Sequence, residues 1–364
     1  MPPSGWGLVE ARFLPLPAQP ADGWGTGGRP SPERETEPDR VGRGARSSAV
    51  GQTRLAAAPQ AAMPSPVPML LFILLLAGMT SAFRICAFNA QRLTVAKLAK
   101  IHIMETIVKI LARCDIMVLQ EVVDTSGDAI PLLLRDLNRF DDSGPYSSLS
   151  SPLLGRSTYM EKYVYVYRSH KTQVLNAYVY DDKMDVFARE PFVAQFSLPS
   201  KVLPKLALVP LHTTPKDVTT ELDALYLVFL NVSQHWQNEN VILLGDFNAD
   251  CSSLSKKRQG ELMLRTKPGF HWVIPDGEDT TVRESTHCTY DRIVVHGEVC
   301  QGLVKMAAAF KFPQNFQLTE AKALNISDHY PVEVELNGSP DWLLAYIPVN
   351  LAMLLLLTGL NSTL

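Results

Sequence analysis

The stretch VILLGDFNADC, Val241 to Cys251, passes from an apolar run to a polar one. Val241–Leu244 is too short for a helix and reads as a strand. Gly245-Asp246-Phe247-Asn248 then sets a carboxylate and an amide at its end. The same arrangement recurs: Arg84–Phe88 ends in Asn89, Ile116–Gln120 ends in Glu121, and Asp328-His329 stands before Val332–Leu336. Polar side chains at strand ends are the usual form of a site carried on a sheet. Carboxylates and amides are hard oxygen ligands, suited to Mg2+, Mn2+ or Ca2+ rather than zinc. Any one of them alone is an ordinary solvated cap. Together, within FNAQR, LQEV, GDFNAD and SDHYPVE, they make a pattern.

Further strand-like runs fall at Tyr163–Tyr167, Gln173–Tyr180, Phe192–Phe196, Ala207–Leu211 and Arg292–Val295. Between them, Ile103, Ile107, Ile110 and Leu111 share one helical face, as do Leu222, Leu225, Phe229 and Val232. Pro131–Leu137 suggests a third helix. Many strands with few helices, and no repeat or linker, predict a layered α/β sandwich around packed sheets rather than a TIM barrel. The chain has 364 residues, a formal charge of −3 and a pI near 6.3. It therefore lacks the bulk positive field of most nucleic-acid binders, and a polyanion would need placed cations or a bound metal.

Two histidines stand in chemical contexts. His212 follows an apolar strand in VPLHTTP, and His329 follows Asp328 at a strand mouth. A buried imidazole beside a carboxylate is fixed in one tautomer and can act as general acid or base. Asp291, in CTYDRIVV, is a candidate for such a carboxylate. The other six histidines read as packing or surface residues.

The ends carry processing signals. The apolar core of MLLFILLLAGMTSAF, with small residues Thr80 and Ala82 before Phe83, reads as a signal peptide over residues 63–82. Residues 1–62, rich in Pro, Gly, Arg and Ala, read as an upstream extension without a fold, with translation beginning at Met63. Residues 337–364 form a hydrophobic tail that reads as a GPI-attachment signal, a transmembrane anchor or a retained tail. These features predict the secretory pathway, in the endoplasmic reticulum or at the cell surface. Two sequons, at Asn231 and Asn325, are the expected glycosylation sites. Of five cysteines, Cys251 and Cys288 are expected to pair, Cys86 and Cys114 to be buried thiols, and Cys300 to be left over.

The motifs FNAQR, LQEVVD, LGRSTYMEKYVY, FAREPF, LHTTP, LLGDFNADC, CTYDRIVV and SDHYPVEV, in this order, resemble the deoxyribonuclease I family. The resemblance covers Phe83–Leu336 and implies a four-layer α/β sandwich, two packed central sheets flanked by helices. It implies a monomeric, metal-dependent endonuclease that hydrolyses double-stranded DNA to 5′-phosphorylated ends. His212 and His329 would be the acid–base pair, with Asp291 orienting His212 and Glu161 orienting His329. Glu121 and Asn89 would hold a catalytic Mg2+ or Mn2+, and Asp246, Asn248 and Asp328 would complete the metal and phosphate end. Arg189 would offer a positive fork to phosphates and Tyr159 a surface for a sugar. Asp182, Asp185, Phe187 (through its carbonyl) and Glu190 match one structural Ca2+ site; Asp279, Thr281 and Thr286 match another. Cys251–Cys288 matches the larger disulfide of the family.

The departures carry their own expectations. The small Cys-x-x-Cys loop is absent, which bears on the first Ca2+ site. Gln91 and Val123 stand where the family has arginines, so DNA affinity and its salt dependence should fall. Phe192 and Ser150 replace residues of different character at actin-contact positions, so tight actin binding is not expected. Rival readings are an abasic-site endonuclease, a sphingomyelinase or an inositol phosphatase of the same fold, or a catalytically silent surface module.

Overall fold

A computed structural model describes residues 82–337. The upstream extension, the signal segment except Ala82, and the tail beyond Asn337 lie outside the described residues. The strands are β1 (Phe83–Leu93), β2 (Ile116–Val122), β3 (Tyr146–Ser150), β4 (Lys162–Arg168), β5 (Val174–Val179) and β6 (Phe192–Ser197). They continue as β7 (Lys205–Pro210), β8 (Val241–Asp246), β9 (Phe270–Trp272), β10 (Asp291–His296), β11 (Val304–Ala309) and β12 (Val332–Leu336). The helices that matter below are α1 (Val95–Leu98), α2 (Ile101–Leu111), α3 (Ala129–Phe140) and α4 (Val218–Trp236).

Two six-stranded sheets form, in the orders β11-β12-β1-β2-β4-β3 and β5-β6-β7-β8-β10-β9. Each holds one parallel pair, β1 with β2 and β7 with β8. A helical crossover joins each pair, α2 in the first case and α4 in the second. Alternation along each strand sorts side chains between layers. On β1, Ile85 and Ala87 enter the core between the sheets, where Ile242 and Leu244 of β8 meet them. Cys86 and Phe88 face outward beneath α2 and α3, and Val241 and Leu243 face outward beneath α4. The result is helix, sheet, sheet, helix. The helical faces expected from sequence are the buried ones: Ile103, Ile107, Ile110 and Leu111 in one outer core, Leu222, Leu225, Phe229 and Val232 in the other. Each such buried apolar side chain contributes roughly 1.5–3 kcal/mol relative to exposure.

The cysteines require a correction. Cys86 and Cys114, expected as thiols, form a disulfide with Cα atoms 6.2 Å apart. The β1–α2–β2 crossover returns the chain to the flank of β1, where Asp115 N donates to Arg84 O at 2.8 Å. Cys114 thereby arrives beside Cys86. That neighbourhood depends on strand register, which local pattern does not report. Cys251 pairs with Cys288 as expected, and Cys300 is the free, buried thiol. Phe192, taken as an actin-contact position, is fully buried between the sheets and offers no side chain to a partner.

Candidate active site

The polar residues singled out in the sequence gather at one end of the two sheets, and strand direction explains why. Asn89 and Glu121 lie near the C-terminal ends of the parallel strands β1 and β2. Asp246 ends β8, and His212 follows β7. β10 runs antiparallel to β8 with Asp291 opposite Asp246, so its first residue meets the last residue of β8. β4 runs antiparallel to β2, which brings Glu161, just before it, to the same end. β12 runs antiparallel to β1, which does the same for Asp328 and His329.

Two histidine–carboxylate pairs result. His212 Nδ1 lies 2.6 Å from Glu161 Oε1, and His329 Nδ1 lies 2.7 Å from Asp291 Oδ2. These partners are exchanged relative to the expectation, which had Asp291 orienting His212 and Glu161 orienting His329. Each pair bridges the two sheets. Tyr163 Oη accepts from His212 N at 2.8 Å, just past Glu161, and the Thr281–His329 bridge ties the His329 loop to the segment entering β10. Motif order names the four residues but carries no information about which face across the gap.

Both imidazoles turn Nε2 toward one oxygen, Asp246 Oδ2, at 3.6 Å each. Burial alone would push both imidazoles toward neutrality. For His212 the Glu161 carboxylate outweighs it, and for His329 the carboxylates of Asp291 and Asp246 do, so both are raised, His329 well above the ordinary histidine value. Asp246 is held low because the two imidazoles, His329 first, overcome its burial. Burial leaves Asp291 raised despite His329, while His212 and Arg189 hold Glu161 low against its own burial.

Beside the dyads, Asn89 Nδ2 lies 3.0 Å from Glu121 Oε1 and 3.0 Å from Asp246 Oδ2. Glu121 adopts a left-handed backbone, φ 55°, a strained conformation for a residue with a Cβ. Asn248 (φ 47°) donates its N–H to Asp246 Oδ1 at 3.0 Å and its amide to Thr213 O at 3.2 Å. Asp328 is half-buried, and its carbonyl accepts from Val282 N. Tyr159 Oη donates to Glu121 Oε2 at 3.1 Å, so the phenol is tied to the carboxylate end of the site. Arg189 spends its fork on the His212 carbonyl, at 3.1 and 2.8 Å, and lies 3.4 Å from Glu161 Oε1. It therefore fixes the His212 dyad directly.

The two candidate Ca2+ sets differ. Asp182 Oδ2 accepts from Phe187 N, whereas Asp185 is exposed and paired with Arg156. Among the described residues, their carboxylates and that of Glu190 do not converge on one point. In the second set, Thr281 Oγ1 lies 2.6 Å from Asp279 Oδ1 and 2.7 Å from Thr286 O. One hydroxyl hydrogen cannot serve both acceptors, so these oxygens could take a cation, although Asp279 Oδ2 already lies 3.0 Å from His287 Nδ1. Asn325 is exposed. Asn231 is half-buried in α4, with Oδ1 3.2 Å from Tyr178 Oη.

Sequence reasoning missed the residues that hold these groups still. Gln120, fully buried, donates to Leu211 O at 2.7 Å and accepts from Asp246 N at 2.8 Å, clamping the His212 loop to β8. Gly245 (φ 131°) must lack a Cβ, which would sit 2.4 Å from Gln120 Nε2 and 2.5 Å from Leu211 O. Ser327, read only as part of a sequon, donates to Asn89 O at 2.7 Å and accepts from His329 N at 3.0 Å. A glutamine inside the apolar run IMVLQ was the one available signal for Gln120.

Two opposed histidine–carboxylate pairs around a buried aspartate, on stacked six-stranded sheets, are an arrangement suited to proton transfer. Residues 87–329 match the endonuclease/exonuclease/phosphatase family, and the chain belongs to that family, in its deoxyribonuclease I group. The chain is 72% identical over 297 residues to deoxyribonuclease-1-like 1 of Homo sapiens, covering 82% of this chain and 98% of that protein. It is 46% identical over 274 residues to deoxyribonuclease-1 of Sus scrofa, covering 72% of this chain and 96% of that protein. A solved endonuclease/exonuclease/phosphatase from Bacteroides vulgatus, 15% identical, superposes with a TM-score of 0.50 over 70% of this chain and 98% of that one, and shares the fold.

Proposed function

We propose that the chain is a metal-dependent endodeoxyribonuclease that hydrolyses phosphodiester bonds of double-stranded DNA to 5′-phosphorylated ends. The observation that carries this reading is the convergence of His212 and His329, each with its own carboxylate, on the same point beside Asp246. Hydrolysis needs one proton taken from water and one given to the departing 3′-oxygen. Two imidazoles with converging Nε2 atoms suit those tasks, the neutral one as base and the charged one as acid. Glu161 and Asp291 fix the tautomers through Nδ1, leaving Nε2 free for the exchange.

The carboxylates of Glu121 and Asp246, with the Asn89 side-chain amide between them, offer hard oxygen donors and no thiolate, which fits Mg2+ or Mn2+; Asn89 would join them through its oxygen. When bound, that cation supplies Lewis-acid stabilisation of charge on the phosphate. Asn248 and Asp328 line the same end. Arg189 adds a fixed positive charge behind His212, and Tyr159, half-buried with the Arg92 guanidinium over its ring, would contact a sugar. Ca2+ is assigned to the Asp279, Thr281 and Thr286 cluster. The set of Asp182, Asp185, Phe187 and Glu190 would need Asp185 to leave Arg156.

The same reading places the protein in the secretory pathway, membrane-tethered by its tail, monomeric, glycosylated at Asn325 and without tight actin binding. Two disulfides support an oxidising compartment. Ser150, exposed at the end of β3, is the remaining residue behind the actin expectation. Nicking of supercoiled plasmid in Mg2+ and Ca2+, with 5′-phosphate at the cut ends, tests the substrate. Turnover of sphingomyelin or an abasic site with intact plasmid untouched would replace the deoxyribonuclease reading with another of the same fold.

A further inference from the structure

Where β1 passes the active site it leaves the ladder with β2. Asn89 pairs with Gln120 and Leu93 with Val122, so Ala90, Gln91 and Arg92 stand opposite Glu121 alone. Gln91 and Arg92 both turn left-handed, at φ 45° and 53°. That turn aims two consecutive N–H groups at the proposed cation ligands: Gln91 N donates to Asn89 Oδ1 at 2.9 Å and Arg92 N to Glu121 Oε2 at 3.0 Å. Two carbonyls of the bulge lose their ladder partners in exchange. Both are taken by one ammonium, Lys97 Nζ, which donates to Ala90 O at 2.9 Å and to Gln91 O at 2.6 Å. Lys97 reaches back from α1, whose first turn is capped by Thr94 Oγ1 accepting from Lys97 N at 3.1 Å.

We propose that Lys97 is a positioning residue for the catalytic cation: by satisfying both bulge carbonyls it holds the strained turn that orients Asn89 and Glu121. The inference rests on the cation reading of those two residues given above. Strained backbone persists only where its surroundings over-determine it. Without the ammonium, two carbonyls seek other partners, the Gln91 and Arg92 amides rotate, and both ligand side chains lose their tether. An opposing effect exists, since Lys97 also places positive charge near Glu121 and Asp328, and its removal would favour a cation electrostatically. The sign of the result therefore separates positioning from simple charge.

Mn2+ binding to the full folded chain, measured calorimetrically and without DNA, is the test, with the relevant site identified as the one lost in Glu121→Gln. Lys97→Met is expected to weaken that site about tenfold, the range for removing an outer partner of a metal ligand. Lys97→Arg, which can reach both carbonyls, is expected to restore most of the affinity. Mn2+ bound by Lys97→Met as tightly as by the unaltered chain, or more tightly, overturns the inference. If Lys97→Met does not fold, Lys97→Gln takes its place. With one carbonyl served, a partial loss supports the inference and undiminished affinity overturns it. If the unaltered chain shows no Mn2+ site sensitive to Glu121→Gln, the cation reading itself falls, and this inference with it.

Discussion

Single residues in this site act in pairs. Glu161 serves His212 and Asp291 serves His329, which predicts how their substitutions combine. Glu161→Gln and His212→Ala should each cost on the order of 10²–10⁴ in nicking rate, and together little more than His212→Ala alone. Glu161→Gln with His329→Ala should cost more than either. The opposite pattern in a double-mutant cycle would instead support the pairing of Asp291 with His212 and of Glu161 with His329. A second residue effect concerns packing: Gly245→Ala would drive a methyl against Gln120 and Leu211 O, at a cost of about 1–3 kcal/mol of stability in denaturant melts. An alanine variant as stable as the parent would show the clamp to be loose. The four residues of the two pairs were legible from their motifs. Their partners were not, because each pair joins residues from different sheets and no local pattern encodes that contact.

At the scale of elements, strands buried on both faces announced themselves as continuous apolar runs. Of the edge strands only β5 did so: YSSLS of β3 and VKMAAA of β11 are partly exposed and mix polar residues or alanines into the pattern. β9 is only three residues long. The Cys86–Cys114 bond was hidden for a related reason, since it depends on the crossover through α2. Closing 28 residues of chain, it should contribute about 3–4 kcal/mol by restricting the unfolded state. The Cys86→Ala, Cys114→Ala double variant should lose most of that in a urea melt. Thiol titration should find one reactive group per chain in denaturant and none in the folded protein, where burial pushes Cys300 up to about 12. Three thiols per chain under denaturing, non-reducing conditions would contradict the pairing. The turn joining α3 to β3 carries a pH effect. Burial disfavours the Asp141 carboxylate, but Tyr146 Oη, Ser143 N and Arg168 hold it at about 2, below the ordinary 3.8. Its contribution is complete above that ordinary value and fades as the pH falls toward 2, so Asp141→Asn should flatten the loss of stability over that interval. An unchanged acid profile would remove Asp141 from the account.

The whole molecule is slightly acidic, so DNA must be held by a few placed charges rather than a field. Restoring a cation with Gln91→Arg should steepen the salt dependence of duplex binding by roughly 0.9 in the log–log slope per added phosphate contact. An unaltered slope would place Gln91 outside the DNA path. The layered architecture was legible from the count and spacing of apolar runs, and the site from the polar residues that end them. What sequence could not supply was the third dimension: two sheets stacked so that His212 and His329 face one another across Asp246. Nicking of supercoiled plasmid by His212→Ala, His329→Ala and the double variant tests that arrangement. Each single variant should lose at least about a hundredfold, with folding and Mn2+ binding retained. Full activity in either would contradict it.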